Sequence, residues 1–236
     1  MRQLPLGLRW PAHQRFATFH LGANGLALAA VRRTACEDGA PWVFLAGPPG
    51  SGRTHLLIAA CQELSETGGS AQYLPLAGLP APRAAAIRAF GGSQLLAIDD
   101  LDACAGDRDD EHALFDLFNR CRAEGSRLLF AAVAPPAQLG IGLPDLVSRL
   151  SSCTQVVLRP LDDDERRDVL RRRAGERGLV LDEAVLDYLF ARHSRDLGSL
   201  GVLLERLDRE SLAAQRRITV PFLRQFLAEP RGPAGP

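Results

Sequence analysis

The sequence lacks an excess of either charge: Lys and Arg together number 28, Asp and Glu also 28, and the formal net charge is +0. A global positive field that would hold nucleic acid is thereby excluded. Any meeting with DNA has to go through a partner or a small local patch. No apolar run approaches the roughly 20 residues that cross a bilayer, so no membrane partner is expected. Residues 1–10 lack the long apolar core and small-residue cleavage site of a secretory leader. The five cysteines, Cys36, Cys61, Cys104, Cys121 and Cys153, are scattered and include no C-x-x-C pair. That spacing speaks against a cysteine zinc site and a disulfide framework, and for reduced thiols in a cytoplasmic protein. Cys61 and Cys121 fall in helical patterns and read as small buried hydrophobes.

What the chain does have is core-forming material: 236 residues, 46% of them hydrophobic and 24% charged, enough for one large domain or two modest ones. From Phe16 onward strand-like and helix-like segments alternate. The patterns predict helices at 26–33, 54–66, 82–90 and 111–124, and strands at 42–46, 72–76, 95–98, 127–133 and 155–158. Gly68-Gly69 reads as the stop of the second helix. The strands at 42–46, 95–98, 127–133 and 155–158 read as buried. Apolar strands alternating with helices predict an α/β fold, a parallel sheet flanked by helices.

After Pro160 the pattern changes. Asp162 and Glu165 have the spacing of a reciprocal helix cap. Helical stretches follow at 163–177, 183–193, 196–214 and 220–228, with no strand-like run among them. The expected organisation is a short arm at 1–14, a sheet-based domain at 15–159, a small all-α domain at 160–228, and a Pro/Gly-rich disordered tail at 229–236.

The sharpest signal lies between the first buried strand and the helix after it. Gly47-Pro48-Pro49-Gly50-Ser51-Gly52-Arg53-Thr54 has the G-x-x-x-x-G-[KR]-[ST] spacing of a phosphate-binding loop, with arginine where lysine is usual. Glycines let backbone N–H groups turn toward phosphate oxygens, and the helix N-terminus adds partial positive charge. Arg53 can face the terminal phosphates, and the Thr54 hydroxyl can ligate magnesium. Taken alone, the same residues also read as a Gly/Pro turn between strand and helix. About fifty residues on, Asp99-Asp100 closes the strand 95–98. One carboxylate there can hold the magnesium, and its neighbour can polarise an attacking water. Alone that pair reads as a solvated acidic turn, but in register with the loop it completes a nucleotide site.

Two further features are open to more than one reading. Arg149, in the short helix-like stretch 143–150, is either an ordinary surface arginine or a cation offered to a phosphoryl group on a neighbouring subunit. In the arm, Gln3 precedes Leu4, Leu6 and Leu8. Such an extended segment can seat an amide in a polar slot and leucines in an apolar groove, or it can be a frayed terminus.

Together these residues resemble the DnaA branch of the AAA+ ATPases, and within it the regulatory inactivators of DnaA. The resemblance runs to about Leu227. It is carried by Leu45-Ala46-Gly47, then Gly52-Arg53-Thr54-His55-Leu56-Leu57, by Ile98-Asp99-Asp100-Leu101-Asp102, by Ala113-Leu114-Phe115-Asp116-Leu117-Phe118-Asn119-Arg120, and by Gly142-Leu143-Pro144-Asp145-Leu146-Val147-Ser148-Arg149-Leu150. It implies an AAA+ base domain with a helical lid. It also implies ADP or ATP, with Mg2+ as accompanying cation, held by Gly47, Gly50, Ser51, Gly52, Arg53, Thr54 and His55, with Thr54, Asp99 and Asp100 at the metal.

By the same resemblance, Gln3, Leu4, Leu6 and Leu8 dock on the sliding clamp (the β subunit of DNA polymerase III). Arg149 then acts in trans on ATP held by the initiator DnaA, and DNA is met only through the loaded clamp. The homo-oligomeric state is left open. DnaA carries a DNA-binding domain after its lid, and this sequence stops at the lid, so a full initiator is not expected.

Three positions depart from the branch: Arg53 for lysine, Val133 where a polar sensor residue is expected, and Gly198 where the lid arginine is expected, with Arg195 off register. They imply weak or absent ATPase activity of the chain itself. The alternatives are a self-contained ATPase of the helicase-loader or motor kind, and a scaffold that has lost its nucleotide.

Overall fold

The computed structural model describes residues 10–11, 13–192, 197–214 and 218–228. The arm motif Gln3, Leu4, Leu6 and Leu8 and the tail at 229–236 lie outside the described residues. Two units partition the chain, residues 1–160 and 161–236.

In the first unit, five strands alternate with five helices. They run α1 (Gly25–Cys36), β1 (Val43–Ala46), α2 (Arg53–Glu66), β2 (Ala71–Pro75), α3 (Ala84–Ala89), β3 (Leu95–Asp99), α4 (Arg108–Glu124), β4 (Arg127–Ala132), α5 (Pro144–Ser151) and β5 (Thr154–Val157). All strand pairs are parallel, in the order β2-β3-β4-β1-β5. The expected α/β fold is therefore the observed one. The reason is visible in β1, β3 and β4, which are buried along their whole length. Both faces must meet apolar partners, and only helices on both sides supply them.

Side chains alternate across the sheet. Phe44, Leu96, Ile98 and Phe130 pack on one face with Leu114, Leu117 and Phe118 of α4. Val43, Leu45, Leu95 and Leu129 pack on the other with Val31 of α1 and Leu56 and Leu57 of α2.

The structure corrects two expectations. The segment 155–158 is not a buried strand: Thr154, Gln155 and Val157 of β5 are exposed, because β5 is the sheet's edge beyond β1. Helix α4 starts at Arg108, three residues before the expected 111. Its cap is Asp107, whose carboxylate accepts the N–H groups of Asp109 and Asp110, both at 3.0 Å. Asp109, Asp110 and Glu111 then sit in the first turn, where the helix dipole favours negative charge. At the end of α2, Gly68 takes φ 86°, the left-handed conformation that lets the chain leave a helix.

Among its described residues the regular elements of the second unit are all helices: α6 (Asp163–Gly175), α7 (Glu183–Arg192), α8 (Leu197–Ala214) and α9 (Val220–Ala228). The reciprocal cap exists. Glu165 N–H donates to Asp162 Oδ1 at 2.8 Å, and Asp162 N–H donates to Glu165 Oε2 at 3.0 Å. Leu170, Val185, Leu189, Leu204, Leu207 and Leu223 form its core. No helix among the described residues is long and apolar enough to cross a membrane.

Candidate nucleotide site

The loop after β1 is shaped by close approach. Gly47 leaves the strand with its N–H on the Ala132 carbonyl at 3.1 Å. A Cβ at Gly47 would lie 2.6 Å from Ser51 Oγ and 3.0 Å from Leu158 Cβ, so only glycine fits. Gly52 caps α2 at φ 96°, with Phe19 packed where its side chain would be. No side chain caps the helix at Gly52. The N–H groups of its first turn thus lack intrahelical partners and are available to an anion.

Thr54, in that first turn, donates its hydroxyl to Asp99 Oδ2 at 2.6 Å. Asp99 ends β3 and is fully buried, with 0% exposure. It accepts two further hydrogen bonds: Tyr73 hydroxyl to Oδ2 at 2.9 Å, and Asp100 N–H to Oδ1 at 2.9 Å. Burying this carboxylate is tolerable because each oxygen is hydrogen-bonded. The structure thus brings Thr54 and Asp99, 45 residues apart, into direct contact.

Arg53 is 8% exposed and leans over the acidic strand end. Its Nη2 lies 3.6 Å from Asp100 Oδ1 and its Nη1 lies 3.8 Å from Asp102 Oδ1. Among the described residues Nη1 has no hydrogen-bond acceptor, and neither has the buried Ser51 Oγ. Two unsatisfied donors at the loop fit a phosphate-bearing ligand, since buried polar groups left unpaired are costly. Asp100 adopts the left-handed conformation at φ 53°, unusual outside glycine. Burial pushes its carboxyl pKa up, with the Asp99 charge adding to that, while Arg53 opposes.

The whole chain contains no lysine. Arginine in the loop is therefore part of a general substitution, although a planar fork is not equivalent to an ammonium at a phosphate.

His55 faces away from this chemistry. Its Nε2 lies 2.8 Å from the Arg15 carbonyl, and its ring meets Phe19 edge-on at 5.3 Å. Val133 follows the end of β4 instead of belonging to it, and is 41% exposed. Its N–H donates to Asp102 Oδ1 at 3.1 Å, so the main chain at this position is tied to the same carboxylate that pairs with Arg53. Gly198 lies in α8, and Arg195 is outside the described residues.

Tyr73 and Asp102 were not among the residues expected at the site. Tyr73 becomes a neighbour of Asp99 only through the pairing of β2 with β3. Asp102 had a signal, a third acidic residue in Asp99-Asp100-Leu101-Asp102.

No group of three or more His, Cys, Asp or Glu residues capable of holding a metal occurs among the described residues. Magnesium at a phosphate loop needs no such cage, because phosphate oxygens and waters fill most of its octahedron. Thr54 and Asp99 are the protein groups that would serve it.

Arg149 stands elsewhere. It lies in the last turn of α5 and lines a depression of about 350 Å3 with Phe115, Arg122, Asp145, Ser148 and Ser152, a wall that contains no loop residue. Its carbonyl accepts from the Ser152 hydroxyl at 2.6 Å. Among the described residues its guanidinium makes no hydrogen bond or ion pair.

A five-stranded parallel sheet in this order, a phosphate-type loop after β1, an acidic end on β3 and a following helical unit make up an AAA+-like fold. Solved structures share the fold. Domain III of the replication initiation protein DnaA from Thermotoga maritima is 21% identical with a TM-score of 0.74, over 93% of this chain and 99% of that one. AMPPCP-bound DnaA from Aquifex aeolicus is 22% identical with a TM-score of 0.64, over 87% and 71%. The RuvB Holliday junction branch migration motor of Thermotoga maritima is 19% identical with a TM-score of 0.59, over 86% and 66%. Residues 163–227 match the family described as "Hda, lid domain". The chain thus shares the fold of DnaA domain III, and its C-terminal helices at 163–227 resemble a lid of the Hda kind.

Proposed function

We propose that this protein is a replication regulator that acts on the initiator DnaA in trans. The arm residues Gln3, Leu4, Leu6 and Leu8 dock on the sliding clamp. Arg149 then reaches ATP bound by DnaA and stabilises the charge that develops as the γ-phosphate leaves. Hydrolysis by DnaA is promoted and re-initiation is prevented.

The observation that carries this reading is the state of Arg149. Its guanidinium makes no internal pairing among the described residues, in a depression that no residue of the chain's own loop lines. A cation kept uncommitted at a surface is suited to a partner's anion. The chain's own loop, with Arg53 directed at Asp100 and Asp102, serves ADP or ATP binding more than turnover. Its own ATPase activity is weak or absent in this reading.

The test is ATP hydrolysis by DnaA in the presence of clamp-loaded DNA. Arg149→Ala is expected to fold and to bind the clamp, yet to lose the stimulation by about 10³-fold or more, the scale of an arginine finger. Normal stimulation by that variant would remove Arg149 from the mechanism.

The Thr54–Asp99 contact favours one second reading, a self-contained ATPase. Steady phosphate release by the isolated protein, lost on Asp100→Asn, would decide for it.

A further inference from the structure

Asp99 carries more hydrogen bonds than a cation-site carboxylate needs. Three donors converge on it: Thr54 and Tyr73 on Oδ2, and the Asp100 N–H on Oδ1. An ionised carboxylate offers about four acceptor sites, so one remains, on Oδ1. Tyr73 owes its position to the sheet. It sits on β2 opposite Ala97, two residues before the Pro75–Asp99 pair, so its side chain lies on the same face as Asp99. Thr54 arrives from the opposite element, the first turn of α2. The carboxylate is held between strand and helix, and its rotation about Cβ–Cγ is fixed.

We propose that Tyr73 is a positioning residue for the divalent cation that accompanies a bound nucleotide. Its hydroxyl locks Asp99 so that Oδ2 keeps Thr54 in place as a cation ligand and Oδ1 presents its one free acceptor site to a cation-bound water. The proposal rests on reading the loop as a nucleotide site. Removing the hydroxyl leaves Asp99 with two donors and frees the carboxylate to turn. Loss of such an outer-shell partner typically weakens metal affinity by about 10- to 100-fold.

The experiment is calorimetric titration of the full-length protein with ADP, in MgCl2 and in EDTA. Wild type is expected to bind ADP more tightly with Mg2+. Tyr73→Phe should keep the EDTA affinity and lose about 10-fold or more of the Mg2+ increment. A role confined to packing would lower the melting temperature and leave that increment intact, which overturns the proposal. So would a wild type that binds ADP equally with and without Mg2+. If wild type binds no ADP in either buffer, the reading of the loop itself falls, and this inference with it. Combining Tyr73→Phe with Asp99→Asn supplies an independent check that does not depend on the stability of one variant. The two losses should not add if the hydroxyl acts through Asp99, and additive losses overturn the proposal.

Discussion

One side chain, Asn24, takes up both main-chain groups of Arg159. Its Nδ2 donates to the Arg159 carbonyl and its Oδ1 accepts the Arg159 N–H, each at 2.8 Å, across 135 residues of sequence. Asn24 is 3% exposed and stands just before α1, so the start of the first helix is fastened to the chain leaving β5. Asn24→Ala strands a donor and an acceptor that have lost their partner. The cost is expected to be about 1–3 kcal/mol, the desolvation penalty of an unpaired buried polar group. Asn24→Asp keeps the acceptor but turns a carboxylate oxygen on the Arg159 carbonyl in a buried site, and should cost at least as much as alanine. Urea unfolding of the three proteins checks the order.

Two glycines separate steric from conformational demand. At Gly47 a Cβ would strike Ser51 Oγ at 2.6 Å and approach the Leu158 carbonyl to 3.2 Å. Gly47→Ala must therefore displace the loop, and is expected to abolish the thermal shift produced by ADP. At Gly125, the residue that ends α4, φ is 74° and an added methyl would meet nothing within 4 Å. Gly125→Ala should cost about 1–2 kcal/mol of stability from the left-handed backbone alone, and leave the ADP shift unchanged. Differential scanning fluorimetry with and without ADP reads both.

The cysteines predict a pH effect. Burial pushes the thiols of Cys61, Cys104 and Cys153 up to about 12 and that of Cys121 up to about 11, from an ordinary 9.0. At pH 8 all four are protonated in folded and unfolded chains alike, and contribute no pH dependence. Above 9.0 the unfolded thiols ionise while the folded ones keep their protons, so the unfolded state binds fewer protons and stability falls. Each thiol accounts for about 1.4 kcal/mol per pH unit between its two values. Denaturation midpoints should therefore drop steeply from pH 9 upward, and a flat profile to pH 10 would contradict the burial of these groups. At pH 8 a thiol reagent should modify Cys36, the exposed one, rapidly in the native protein, and all five cysteines after unfolding.

Much of the base architecture was legible because its buried strands are continuous apolar runs. Val43–Ala46 and Leu95–Asp99 can only be covered on both sides, and helices at the right intervals were there to do it. The loop and the Asp99 pair were legible for a related reason: phosphate chemistry demands fixed residue types at fixed spacing. The exposure of β5 was not. Whether a strand is central or marginal is decided by the order of strands, which local pattern does not encode.

The direction of Arg53 was equally hidden. The sequence places it beside Thr54, but its lean toward Asp100 and Asp102 follows from the turn after β3, where Asp100 takes a left-handed conformation. Tyr73 belongs to the same class. A residue 26 positions from Asp99 becomes its partner only once two parallel strands lie side by side.

The two rims of the sheet are blunted in different ways. On one side β5 runs for only four residues, too brief a template for a foreign strand to gain a lasting ladder. On the other, β2 closes with Pro75, which has no N–H to offer. The sheet is thereby guarded against recruiting stray chains edge to edge, and associations at its rims are left to side chains.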